Sequence, residues 1–142
     1  MLLKLLTKAE GQWRVIAPAQ MLEGEMLCGL EQELLEFAEQ HEACVLGIMQ
    51  FWKNIPRVGP RQLGSAIYHY VDEKNEIYEF VKGRLRVLCF QSDGAICVCC
   101  HAFLKQSQLT PKAKIRRAVL IKKEYEAALA SGRIKIQAEE NL

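Results

Sequence analysis

Arg86 sits in a run that is otherwise apolar, flanked by Leu85, Val87, Leu88, Cys89 and Phe90. A guanidinium in that setting requires a fixed anionic partner, because an unpaired charge among apolar groups is costly. Either a bound anion meets its planar fork, or Glu79 pairs with it across a hairpin. Downstream, His101 follows Cys97, Val98, Cys99 and Cys100, and strict alternation puts it on one strand face with Cys97, Cys99 and Phe103. Its ring titrates near neutral pH, which suits general acid–base work; the plainer alternative is a satisfied core histidine. Lys105 ends the same segment, where side chains emerge over a sheet rim. Lys82 and Arg84 flank a turn, placed either to hold a polyanion backbone or simply to be solvated. Lys112 and Lys114 begin a helix, whose free N–H groups favour phosphate.

The charge distribution points the same way. The net charge of +2 conceals 3 Lys/Arg against 8 Glu in residues 1–52 and 16 Lys/Arg against 9 acids in residues 53–142. Between 105 and 123 lie Lys105, Lys112, Lys114, Arg116, Arg117, Lys122 and Lys123 with no acid. Such asymmetry suggests a polyanion partner, RNA or DNA, against the alternative of a solvated basic helix face. With 142 residues, 50% hydrophobic and 25% charged, the composition excludes collagen-like, disordered and low-complexity classes and suits a single domain over 1–142. No apolar stretch approaches a membrane span, and the polar residues after MLLKLL come too early for a signal peptide. A cytoplasmic protein is expected. Its six cysteines then read as reduced core thiols. Cys97, Cys99, Cys100 and His101 lack the spacers of a structural zinc site, so no metal and no cofactor is expected. Gly-rich phosphate loops, paired catalytic carboxylates and HExxH are all absent from the sequence.

These residues need a scaffold, and periodicity outlines one. Trp13–Ala17 reads as a short strand ended by Pro18. Leu27, Leu30, Leu34, Phe37 and Ala38 recur with helical period within a helix from about Met21 to Gln40, and Glu23, Glu25, Glu31, Glu33 and Glu36 fall on or near its other side. A second helical run covers Val45–Ile55 and stops at Pro56, completing a hairpin. Residues 56–66 form a loop. The period then becomes two: Ile67–Val71, Ile77–Val81, Leu85–Phe90 and Ala95–Phe103 are strands, with tight turns at Lys82-Gly83 and Ser92-Asp93-Gly94. Thr110 as N-cap and Pro111 at the first helical position open a last helix that Ser131-Gly132 ends. The order predicts an α+β domain: an N-terminal strand, then a helical hairpin packed on one face of a three- to four-stranded antiparallel sheet, then a C-terminal helix.

From Ile77 to Tyr125, the run IYEFVKGRLRVLCF, a DG turn and HAFLKQSQLTPKAKIRRA resembles the phage-type, HigB-like branch of the RelE/ParE toxin superfamily. Members carry a Tyr-Glu-Leu-like strand, an Arg-Val-Leu-Tyr-like strand, a His-Gly-Phe-x-Lys-Lys strand end and a Thr-x-x-Thr-Pro helix start. The resemblance implies a RelE/ParE-like fold and a toxin of a type II toxin–antitoxin pair. It further implies a metal-independent endoribonuclease that cuts messenger RNA, typically on the ribosome, and a small cognate antitoxin as partner. Carried onto this sequence, it makes Arg86 the phosphate-binding arginine and Lys105 the family's first strand-end lysine. His101 is then the acid–base candidate, and Lys82, Arg84, Lys112 and Lys114 hold the RNA backbone. Gln106 stands where a second lysine is usual, Ala102 replaces the glycine, and Glu79 replaces a lysine found in better-known ribonuclease members. Those departures keep a second reading open, a non-catalytic module of the same fold that binds protein or nucleic acid: gyrase-directed, or an inactive phage homologue. An antitoxin helix or strand would find an apolar dock on Val45–Ile55, with Phe51 and Trp52, unless that segment is plain core.

Overall fold

A computed structural model describes residues 1–8 and 10–139. Its eight strands are β1 (Leu2–Leu5), β2 (Arg14–Leu22), β3 (Glu25–Cys28), β4 (Tyr68–Asp72), β5 (Ile77–Lys82), β6 (Leu85–Ser92), β7 (Ile96–Leu104) and β8 (Lys135–Gln137). The helices are α1 (Gly29–Val58) and α2 (Lys112–Ala130), with a 3-10 turn at Pro60–Leu63. Strand order is β4-β5-β6-β7-β2-β1-β8, and β3 folds back on β2. The β4-β5-β6-β7 meander is antiparallel, as the short turns require. The β2–β7 and β1–β8 pairs are parallel, so the sheet is mixed and larger than the sequence pattern predicts.

Three expectations change at the N-terminal end. MLLKLL contributes a strand, with Leu3 opposite Pro18 in β2. Pro18 therefore does not end β2. The bond from the Leu6 N–H to Val15 O (2.8 Å) fixes the ladder alternation, so Leu3–Pro18 is a non-bonded pair. The N–H that proline lacks would face away from β1, beyond the last β7 partner at Ile16. Residues 21–28 belong to the β2–β3 hairpin, turning at Glu23 and Gly24 with positive φ, and the helix starts only at Gly29. The α1 span is two helices that meet at a kink at His41 (φ −134°, ψ 41°), the break expected between Gln40 and Val45.

The helices do not share a face of the sheet. Strands β5 to β7 are apolar on both sides, so both sides need cover. One core joins Tyr78, Phe80, Leu85, Val87 and Cys89 to Leu34, Val45, Ile48, Trp52 and Ile55 of α1. The other joins Leu88, Phe90, Val98 and Phe103 to Ala118 and Tyr125 of α2. The Val45–Ile55 segment is thus mostly core, with only Leu46 and Met49 of its large apolar residues exposed.

A β-bulge sets the face of each residue in β7. Leu88 opposes His101 but Cys89 opposes Cys99, leaving Cys100 as the extra residue. Cys97 and Cys99 accordingly belong to the α1-side core with Cys89, and Cys100 and Phe103 to the α2-side core. His101 is not on the face of Cys97 and Cys99, as alternation alone predicts. It turns with Phe103 toward α2, where it is fully buried and its Nε2 lies 2.9 Å from the Lys114 carbonyl. A carbonyl only accepts, so Nε2 carries the hydrogen and Nδ1, which is buried without a partner, carries none.

Desolvation holds the His101 ring neutral, lowering its pKa to about 4. The unfolded chain takes up the proton near the ordinary value of about 6.5. Stability should therefore fall as pH drops from about 6.5 to 4, by roughly 2–3 kcal/mol from this group. In urea titrations across that range, the stability gap between wild type and His101→Gln should narrow on acidification. A gap independent of pH would contradict the assignment. The β5–β6 turn gives a second test. Gly83 has φ +58°, and a Cβ there would meet Cys44 Sγ of α1 at 2.8 Å. Gly83→Ala should cost about 2 kcal/mol, from the left-handed backbone and the contact together. Adding Cys44→Ala should recover part of it, and strict additivity of the two changes would show that the contact is not responsible.

Candidate active site

Adjacent strands bring three ionisable groups together on the α2 face of the sheet. His69 (β4) lies directly opposite Glu79 (β5), and Arg86 (β6) opposes Val81, two residues from Glu79. The Glu79 carboxylate is almost wholly buried, at 2% side-chain exposure. His69 Nε2 is 3.0 Å from its Oε1 and Arg86 Nε is 3.5 Å from the same oxygen. The Thr110 hydroxyl donates to Oε2 at 3.0 Å. Three partners thus compensate one desolvated charge.

Arg86 is half-buried, and the alternative of a cross-hairpin pair with Glu79 is the arrangement found. Its Nη1 also donates to the carbonyls of Gly83 (2.6 Å) and Leu85 (3.1 Å). The guanidinium is therefore fixed at the end of the β5–β6 hairpin. Its Glu79 contact, at 3.5 Å and without hydrogen-bond geometry at Nε, is the loosest in the cluster. His69 is 38% exposed, and its Nδ1 lies 2.8 Å from the Ser65 carbonyl. Each ring nitrogen thus faces an oxygen, Nδ1 the Ser65 carbonyl and Nε2 the Glu79 carboxyl group.

Lys105 follows β7 at the same end of the sheet. Its N–H donates to Arg84 O at 2.8 Å, while Arg84 Nε donates to Lys105 O at 3.1 Å. Phe103, two residues earlier, directly opposes Arg86. Arg86, Arg84 and Lys105 are therefore neighbours. Lys112 is exposed in the first turn of α2, and Lys114 Nζ sits 5.8 Å from the centre of the Phe103 ring. The loop from Lys105 to Pro111 crosses this end of the sheet, tied down by the Thr110–Glu79 bond. That bond explains a failed expectation: the N-cap of α2 is Pro111, with no side-chain cap, because the Thr110 hydroxyl is committed to the buried carboxylate. Lys82 does not join the group. It faces the α1 side, its stem so close to Gly47 that a Cβ there would lie 2.7 Å from Lys82 Cγ and Cε. His101 is on the correct face but has no solvent-facing nitrogen.

The sequence reading missed His69 and Thr110 as partners of the site. The signal for His69 was the period-two run Ile67–Val71, which fixes its face but not the register that sets it opposite Glu79. Chemically, the cluster offers a cation with a loosely held counter-ion, beside a carboxyl–imidazole pair that can both give and take a proton. Among the described residues, no group of three or more His, Cys, Asp or Glu is placed to hold a metal ion, and no helix is long and apolar enough to cross a membrane.

Residues 32–123 match the family described as Phage derived protein Gp49-like (DUF891). No curated protein matches the chain. The matched segment runs from the first turns of α1 through β7 and into α2, and it contains every residue of the cluster. The chain belongs to the Gp49-like family of phage-derived proteins, a RelE/ParE-like toxin family of toxin–antitoxin systems.

Proposed function

We propose that this protein is a HigB-like toxin of RelE/ParE fold, a metal-independent endoribonuclease that cuts messenger RNA in the cytoplasm, on the ribosome. A cognate antitoxin holds it inactive. The observation carrying this reading is the convergence of Glu79, His69 and Arg86 from three neighbouring strands, beside the strand end from which Lys105 emerges.

Cleavage without a metal uses the ribose 2′-hydroxyl as nucleophile on the adjacent phosphorus, expelling the 5′-oxygen and leaving a 2′,3′-cyclic phosphate. The reaction needs a proton acceptor, a proton donor and a cation against the developing phosphorane charge. In this reading, an incoming phosphate replaces the loose Glu79 contact of Arg86, whose Nη1 stays anchored on Gly83 and Leu85. The Glu79–His69 pair supplies acceptor and donor, Lys105 adds a second cation, and Arg84, Lys112 and Lys114 hold the flanking backbone. His101 fixes the first turn of α2 through the Lys114 carbonyl, as a positioning residue. The chemistry uses side chains alone.

A second reading, a non-catalytic binding module of the same fold, is favoured by one fact: Arg86 already has Glu79 as a counter-ion and two carbonyls accepting from its Nη1. The two readings separate on purified protein and a single-stranded RNA. The nuclease should yield fragments ending in a cyclic phosphate and leave a 2′-deoxy chain intact. Arg86→Ala should lower the rate at least about 100-fold and relieve growth arrest on induced expression. Intact RNA with the wild type, and equal growth of both strains, would favour the binding module.

A further inference from the structure

Strand β4 is one edge of the sheet, and its two faces serve different surroundings. His69 turns to the Glu79 cluster. Tyr68 and Tyr70 turn to the opposite face and stack on Tyr78 of β5, with ring centres 4.5 and 4.1 Å apart and planes inclined by 5° and 27°. Tyr78 is the middle ring of this pile. It and Tyr68 are buried, whereas Tyr70 keeps 37% of its surface in solvent. Arg61 Nη2 donates to the Tyr78 hydroxyl at 3.2 Å. These residues, with Ser65 and His69, line a surface cleft of about 350 Å³.

Arg61 is the exposed cation that lines the cleft. Asp72, Glu73 and Glu76 follow Tyr70 in the chain; Asp72 accepts from the Asn75 side-chain amide at 2.7 Å, and Glu76 lies 3.8 Å from Lys122. A flat ring braced by two others loses little freedom when a further ring joins the stack. Every nucleobase offers a π-face, and an aromatic platform flanked by cations is a general way to hold a single strand without reading its sequence. Arg61 spends one of its five N–H donors on Tyr78, leaving the rest of the fork for a phosphate.

We infer that this ledge is a subsite for an unpaired base of single-stranded nucleic acid, with Tyr70 stacking on the base and Arg61 taking an adjoining phosphate. The identity of the polymer as RNA rests on the nuclease reading; the stacking site does not. Because His69 and Tyr70 are consecutive, a strand draped over the β4 edge meets both the ledge and the Glu79 cluster.

The test is equilibrium binding of the full chain to a fluorescent 2′-O-methyl oligoribonucleotide, which has no free 2′-hydroxyl and cannot be cut. Tyr70→Ala should weaken binding by about tenfold or more, while Tyr70→Phe, which keeps the ring, should stay within about twofold of wild type. Arg61→Glu, at an exposed position, should also weaken binding and provides a second variant if Tyr70→Ala folds poorly. An abasic chain of equal length should bind wild type and Tyr70→Ala alike. Undiminished oligonucleotide binding by both Tyr70→Ala and Arg61→Glu would overturn the inference, and so would equal losses in Tyr70→Ala and Tyr70→Phe. In the first case the edge is left for another ligand, such as an added peptide strand. Failure of the nuclease reading shows elsewhere, as RNA left uncut by a wild type that still binds this probe.

Discussion

One buried carboxylate constrains much of this molecule. Removing Glu79 from water would cost several kcal/mol if it stood alone, so each group that meets it is held in place by that need. His69 ties down the edge strand β4, Arg86 anchors the end of the β5–β6 hairpin, and Thr110 draws the loop before α2 across the sheet. The helix then starts without a side-chain cap, a loss of about 1 kcal/mol that the buried bond offsets. The same carboxylate gathers polar partners in a sheet whose two faces are mostly apolar.

The β7 bulge is the second constraint. Without an extra residue at Cys100, His101 would alternate into the α1-side core with Cys97 and Cys99, and Phe103 would follow it. With the bulge, both rings turn to α2. Arg86, Phe103 and the start of α2 then occupy one end of one face, where Lys105 leaves the strand. The α1 side is the opposite case. Glycines at 47 and 83 let the kinked helix lie close on the β5–β6 hairpin, so the Lys82 stem covers α1 and is unavailable on the other face.

Strand β4 joins the two sides. Its alternation sends an imidazole to the acid–base cluster and two phenol rings to the aromatic ledge. An edge strand has open backbone groups that invite a partner, and here that edge is polar and aromatic, with Arg61 beside it. The proposed base ledge and the proposed acid–base cluster thus lie on the two faces of a single strand end.

The sequence alone determined the elements whose signals are local. The meander from β4 to β7, its turns and the span of α2 follow from period-two and period-3.6 patterns and from the Gly-containing turns, because neighbouring residues decide them. It also limited Arg86 to two partners, of which Glu79 proved to be one. What depended on distant contacts was decided only by the tertiary structure. Strands β1 and β8 are too short to declare themselves and exist by pairing with each other and with β2. Residues 21–28 extend as a hairpin because β2 continues past Pro18. The choice of opposite faces for the two helices came from the two-sided apolar sheet. In the site, alternation placed His101 one face away from where the bulge puts it, and nothing local assigns His69 or Thr110 to Glu79. Register and bulges are set by the sum of packing across strands, and a one-residue shift exchanges the faces of a strand. The residue types that can do chemistry were therefore legible, and their company was not.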